Sequence, residues 1–244
     1  MTMSHSTRRL YWRAATLGLA AGIALPAHAG IVVGATRVVF DESAREASVP
    51  ITDADTQPFV VQAWVDGDSA GDKAPFFVTP PLSRLDPGKQ NMLRVLRTQG
   101  TLPADRESMF GLNVKEIPVT PAEKNVLQFA VRTHIKLFYR PDNLPGSQLD
   151  APQKLQWHAE AAPNGKGGTL KVHNPTPYYV TFAAVHTGHG NAPAENTDIE
   201  YVAPFGDAQH PLAQSVGHEP LKVTYTTIND FGGITDPVSV QVAQ

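Results

Sequence analysis

From Asn125 to Pro141 the chain alternates apolar and polar side chains with a period of two. Leu127, Phe129, Val131, Ile135, Leu137 and Tyr139 fall on one parity; Gln128, Arg132, His134 and Lys136 fall on the other. That is the pattern of a half-buried β-strand, whose successive side chains point to opposite faces. Few strands exceed ten residues, so this one is predicted to run past its own sheet. Either its polar face is solvated, or it is an edge strand offered to another protein, with Lys136 and Arg140 as a cationic anchor just before the proline break.

Shorter strand signals fill the rest of the chain. Residues 31–40 read as a first strand in which Arg37 interrupts a β-branched and aromatic run. An arginine so placed usually meets solvent or snorkels toward it. Residues 47–51 and 59–65 follow, the second with Trp64 predicted to face inward, and 66–72 is a Gly/Asp turn. Phe76-Phe77-Val78-Thr79 is stopped by Pro80-Pro81, Leu85-Asp86-Pro87-Gly88 signals a turn, and 91–98 and 108–117 are further strands, the last ended by Pro118 and Pro121. Residues 141–147 have the composition of a linker. Beyond it, 155–158, 169–173, 178–182, 199–202, 221–226 and 238–242 are again strand-like, which predicts a second, smaller β-domain. No helix-period segment longer than a turn or two and no fixed short repeat follows residue 29. The expected class is all-β, built from sandwiches.

Composition narrows the function. Net charge is −3 with 18% charged residues, which gives no nucleic-acid footprint. Cysteine is absent, so there is neither a disulfide framework nor thiol chemistry. The amino end carries Arg8, Arg9 and Arg13, an apolar run over 14–25, and Ala27-His28-Ala29. That is a cleavable signal peptide, its apolar run too short to span a bilayer. Cleavage is expected after Ala29, giving three segments: 1–29 signal peptide, 30–146 first domain, 147–244 second domain. No later stretch is apolar enough to span, so the mature chain is expected to be exported, soluble and not inserted in a membrane. Catalytic signals are weak. Gly67-Asp68-Ser69 resembles a hydrolase tripeptide but sits in a turn, and His186-Thr187-Gly188-His189 lacks a third metal ligand at a telling spacing. No phosphate loop or carboxylate pair appears. No enzyme activity, cofactor or metal is expected.

Six motifs, in order, carry a family resemblance: Thr36-Arg37-Val38-Val39-Phe40; Phe77-Val78-Thr79-Pro80-Pro81 with Arg84-Leu85-Asp86-Pro87-Gly88; Leu102-Pro103-Ala104-Asp105-Arg106-Glu107-Ser108-Met109-Phe110; Ile135-Lys136-Leu137-Phe138-Tyr139-Arg140-Pro141; Asn174-Pro175-Thr176-Pro177-Tyr178-Tyr179-Val180; and Ile228-Asn229-Asp230-Phe231-Gly232-Gly233. Together they resemble the PapD-like periplasmic pilus (fimbrial) chaperones of the chaperone–usher pathway, over nearly all of the mature chain. The resemblance implies two immunoglobulin-like β-sandwich domains arranged as a boomerang with a cleft between them. It also implies that the protein binds, folds and caps pilin subunits and delivers them to an outer-membrane usher. The alternative is an exported β-sandwich pilus subunit or adhesin, which would need a donor extension of its own.

The resemblance assigns residues. Arg37 and Lys136 match the cleft cations that hold a subunit's C-terminal carboxylate. Leu127, Phe129 and Val131 match the apolar row of the donor strand, which completes a pilin's unfinished sandwich. Glu107, Arg140 and Asp230 match an ion triad at the domain interface. Lys136 has the opposite parity to the donor row, so an unbroken strand turns it to the other face and a bulge would reverse that. The short segment between Ile117 and Leu127, with no cysteine, resembles the family's short F1–G1 loop branch. Departures are Gly34-Ala35 before Thr36-Arg37, where polar residues are frequent, and Gly111, where a large aromatic is common. A free chaperone with an exposed apolar strand is expected to cap itself by dimerising.

Overall fold

A computed structural model describes residues 30–67, 73–118, 127, 129–163, 166–188, 195–213, 216 and 220–242. Among the described residues the first half contains nine strands: β1 (Ile31–Val33), β2 (Arg37–Asp41), β3 (Ala47–Asp53), β4 (Phe59–Asp66), β5 (Phe76–Thr79), β6 (Leu82–Leu85), β7 (Gln90–Arg97), β8 (Ser108–Pro118) and β9 (Arg132–Arg140). They form two sheets, in the orders β1-β3-β7-β5 and β2-β9-β8-β4-β6. The inward rows are set by period two: Val49 and Ile51 on β3, Leu93 and Val95 on β7, Leu112 and Val114 on β8, Ile135, Leu137 and Tyr139 on β9. Facing one another, they make one core.

The stretch at 31–40 is two strands rather than one. After Val33 the chain changes sheets. β1 pairs antiparallel with β3, whereas β2 pairs parallel with β9, bringing Arg37 level with Lys136 and Asp41 level with Arg140. The crossing residues include Gly34, whose N–H donates to Pro50 O at 2.8 Å. Trp64 corrects a second expectation. The inward row of β4 is Phe59, Val61 and Ala63, so Trp64 lies on the outer face, half-buried under the Arg132 guanidinium 5.6 Å away, with its Nε1 donating to Asp66.

The second half contains β10 (Gln156–Ala161), β11 (Gly168–His173), β12 (Val180–Gly188), β13 (Glu195–Asn196), β14 (Tyr201–Val202), β15 (Asp207–Leu212), β16 (Leu221–Thr227) and β17 (Val238–Val242). One sheet runs β10-β11-β15; the other runs β13-β12-β16-β17, with β14 also on β12. A separate core joins them, centred on Leu170, Val172, Val180, Leu221, Val223 and Tyr225. A 3₁₀ turn, Ala151–Lys154, leads in, anchored where Tyr225 Oη donates to Pro152 O at 2.7 Å. β15 has no strand signature in its sequence, Asp-Ala-Gln-His-Pro-Leu; it is an edge strand, where a proline is tolerated.

Candidate functional site

The predicted strand at 125–141 is shorter than its pattern. Among the described residues strand geometry covers β9 alone, and Leu127, Phe129 and Val131 lie before it, 77%, 72% and 52% exposed. The physical reason is a lack of partner. The last rung of the β8–β9 ladder is Lys115↔Arg132, and beyond it, among the described residues, one backbone hydrogen bond, Glu116 N–H to Val131 O at 3.0 Å, ties the segment down. The three apolar side chains continue the odd-numbered core row outside the sandwich.

The β8–β9 register runs unbroken from Lys115↔Arg132 to Ser108↔Tyr139, with no bulge. Lys136 therefore points away from the odd-numbered row. β9 is buried on both faces at this end, because its even residues Lys136, Phe138 and Arg140 meet the second domain. Phe138 packs on Tyr179 at 5.6 Å between ring centroids, and Tyr179 on Tyr201 at 5.9 Å. Lys136 Nζ lies 5.1 Å from the Tyr201 ring and donates to Glu200 Oε1 at 2.6 Å. Arg37, in register beside it, is buried rather than solvent-facing, contrary to the simple reading of an isolated strand arginine. Its guanidinium stands 5.6 Å from the Phe138 ring centroid, and Nη1 donates to Ile228 O at 3.0 Å. Burial depresses the Arg37 pKa, and the charges of Asp230 and Glu107 oppose that shift. An incoming anion would meet a cation whose desolvation is only partly offset.

The three acid–base residues expected at the interface do come together. Arg140 Nε donates to Glu107 Oε1 at 2.7 Å; Nη1 and Nη2 donate to Asp230 Oδ2 and Oδ1 at 2.7 and 3.0 Å. The Asp230 contact is the bidentate fork that suits a carboxylate. Glu107 Oε2 accepts the Tyr179 N–H at 2.7 Å, and the Glu107 N–H donates to Pro177 O at 2.9 Å, so this one residue of the first domain grips the second twice. Burial works against the charge on Arg140, but the Asp230 hydrogen bonds and both carboxylates outweigh it and move its pKa up. Glu107, with a side chain 1% exposed, is pushed up by burial. Arg140 and the Tyr179 N–H pull it back without cancelling the shift.

Several cleft residues carried no signal of their role in the sequence. Glu200 and Tyr201 read only as strand, and Ile228 contributes through its carbonyl. A polar chain was equally silent: Asn113 Nδ2 donates to Asp66 Oδ2 at 2.8 Å, and His134 Nδ1 meets Asn113 Oδ1 at 2.9 Å. His134 explains Gly111, since a Cβ there would collide with the imidazole ring. Asp66, Gly111 and His134 line a pocket of about 300 Å³ together with Lys136, Glu200 and Tyr201. Asp68, Ser69 and His189, of the two weak catalytic motifs, lie outside the described residues. Among the described residues no group of three potential ligands could hold a metal.

Two sandwiches, an interfacial ion triad, and one strand with a cation on the face turned away from its own core and bare apolar side chains just before its start define a class of two-domain β-sandwich binding protein. Residues 30–145 match the family profile "Pili and flagellar-assembly chaperone, PapD N-terminal domain", and residues 150–239 match "Pili assembly chaperone PapD, C-terminal domain". The chain is 39% identical over 220 residues to the chaperone protein LpfB of Salmonella typhimurium, covering 87% of this chain and 89% of that one. It is 39% identical over 245 residues to the chaperone protein FimB/FhaD of Bordetella pertussis, covering 96% and 97%. The crystal structure of the Escherichia coli YadV chaperone superposes with a TM-score of 0.76 at 36% identity, over 88% of this chain and all of that one. The Salmonella enterica SafB chaperone, solved in complex with the SafA pilin, superposes with a TM-score of 0.74 at 31% identity, over 90% and 99%. The chain belongs to the PapD family of pilus-assembly chaperones.

Proposed function

We propose that the protein works in the periplasm after cleavage behind Ala29, with residues 30–146 and 147–244 as its two domains. There it captures pilin subunits, completes their fold with its own strand, and passes them to an outer-membrane usher. The observation that carries this reading is β9 and its approach. One stretch of chain carries Leu127, Phe129 and Val131 bare at odd-numbered positions just before β9, and Lys136, level with Arg37, at an even-numbered position within it. In this reading the apolar row fills the open groove of a subunit, while Arg37 and Lys136 hold its terminal carboxylate by charge-assisted hydrogen bonds. The Arg140 triad sets the angle between the domains. The short, cysteine-free segment before Leu127 in the sequence supports membership of the short F1–G1 loop branch. A chaperone complexed with its pilin among the superposable structures supports this over a structural subunit, as do the names of the relatives. The family is not one of enzymes, and the mechanism needs no cofactor: folding of the subunit onto the lent strand drives binding.

Co-expression with a pilin from the same operon tests the proposal. The wild type should co-purify as a one-to-one complex. Replacing Leu127, Phe129 and Val131 together by serine should abolish it, since each buried side chain contributes about 1.5–3 kcal/mol. A serine variant that still captures the pilin at wild-type yield would rule out the lent strand. A second expectation concerns the free chaperone. Its exposed row invites self-pairing, so sedimentation across a concentration series should show a monomer–dimer equilibrium that Phe129→Asp shifts to monomer. A wild type that stays monomeric throughout contradicts it.

A further inference from the structure

Glu116 continues the inward row of β8 after Leu112 and Val114, and it is buried. None of the ion pairs among the described residues involves it. A carboxylate facing a core needs a partner. What it has is the Ile31 N–H, which donates to Oε2 at 2.8 Å. One residue earlier stands Gly30, held by the Ala54 N–H on its carbonyl at 3.1 Å. A Cβ on Gly30 would run into both oxygens of the Glu116 carboxylate. Any side chain at position 30 would therefore have to push the Glu116 carboxylate aside. The glycine nitrogen, about 2.5 Å from where that Cβ would stand by covalent geometry, shares the same neighbourhood. A second acid adds to the local negative charge. Asp53, opposite Ile31 on β3, is wholly buried, and its Oδ2 has no hydrogen-bond partner among the described residues.

In the precursor the Gly30 nitrogen is the amide of the Ala29–Gly30 bond. Hydrolysis there adds water across that bond. The new carboxylate leaves with Ala29, and the nitrogen takes up protons to become an ammonium. We infer that Glu116 is the seat of this new α-ammonium, so that removal of the signal peptide supplies the cation that a buried carboxylate otherwise lacks. The inference rests on cleavage behind Ala29. It links processing to the working strand, because the Glu116 N–H is the bond that holds Val131 O at the root of the exposed apolar row. Among the described residues, the charged groups that the chain pairing brings beside the new terminus are Glu116 from β8, Asp53 opposite Ile31 on β3, and Asp55 next to the Ala54 that holds the Gly30 carbonyl, its N–H donating to Asp53 Oδ1 at 2.9 Å.

The test compares four mature chains: wild type, one with an alanine inserted before Gly30, Glu116→Gln, and the two changes combined. Either single change should lower Tm by a few degrees at pH 7, and the combination should lower it no further. An α-amine ordinarily titrates near 8. Pairing with Glu116 raises that value in the folded chain, so the stabilisation is full below about pH 8 and fades as pH climbs through the raised value. The gap between wild type and the alanine-extended chain should close by about pH 10. Additive losses in the double variant, or an insertion without effect, would overturn the inference. Should Glu116→Gln fail to fold, acetylation of the α-amine at pH 7 decides between the remaining two. The wild type should react about tenfold more slowly than the extended chain, as one unit of pKa requires, and equal rates refute the seat. The intact mass of the exported protein tests cleavage separately. If it begins elsewhere, the processing reading fails, and a chain made with methionine directly before Gly30, then trimmed, still tests the Glu116 seat.

Discussion

Lys136→Ala is expected to weaken capture of a pilin by between about 30-fold and several-thousand-fold, the equivalent of about 2–5 kcal/mol for truncating one partner of a buried, hydrogen-bonded charge pair. The side chain is held for the task. It emerges from a β9 locked between β2 and β8, is only 20% exposed, and lies along the Tyr201 ring with its ammonium on Glu200. Arg37→Ala should do comparable damage, because the buried guanidinium presents a planar fork that lysine cannot copy. Loss through either variant should depend on the ligand's terminus. A synthetic pilin C-terminal peptide with a free carboxylate should bind the wild type far better than its amide, and should lose that preference in Lys136→Ala. Titration calorimetry with the two peptides decides it. Equal affinity of acid and amide for the wild type would remove the anchor role from both cations.

Arg140→Leu should be the most destabilising of the interface changes, by about 3–5 kcal/mol, because it strands the Glu107 carboxylate in a buried site with only the Tyr179 N–H for company. For a protein of this size that corresponds to a fall in Tm on the order of 10 °C. The deficit should shrink as pH falls. Burial already raises the Glu107 pKa, and loss of Arg140 would raise it further. A carboxyl with a raised folded pKa binds a proton on folding, so it favours the native state at low pH, and that advantage fades as pH rises through the folded value. Solution scattering should also report a wider spread of interdomain distances, since Glu107 and Asp230 would no longer share a cation. A thermal shift under about 1 °C with an unchanged scattering curve would reduce the triad to a surface ion pair.

Much of this architecture was legible in the chain because period two is a local signal. The inward rows of β3, β7 and β9 follow from alternation and burial alone. What was misread has a common cause, namely that contacts between distant segments decide faces. Trp64 is large and apolar, yet it is turned outward over Arg132 because the inward row of β4 is fixed by Phe59, Val61 and Ala63. Arg37 looked like a solvent-facing interruption, and the second domain covers it. The run at 31–40 looked continuous, and its two halves belong to different sheets. Of the proposed site, Arg37, Lys136 and the triad were found through motifs whose spacing no periodicity argument explains. Glu200, Tyr201 and the Asp66–Asn113–His134 chain carry no motif at all. Their places follow only from the docking of one sandwich against the other.

The unbroken register of β9 has a metric consequence. Five residues of extended chain separate Val131 from Lys136, about 17 Å at 3.3–3.4 Å per residue. With no bulge in the ladder, that length cannot stretch or shrink by a residue. In the proposed complex the strand is a ruler. It fixes how far the last residue of a subunit stands from the first position of its open groove. A one-residue slip would present the wrong face of the lent strand to that groove. Chain ends of the wrong length are thereby rejected by distance alone, before any side chain is compared.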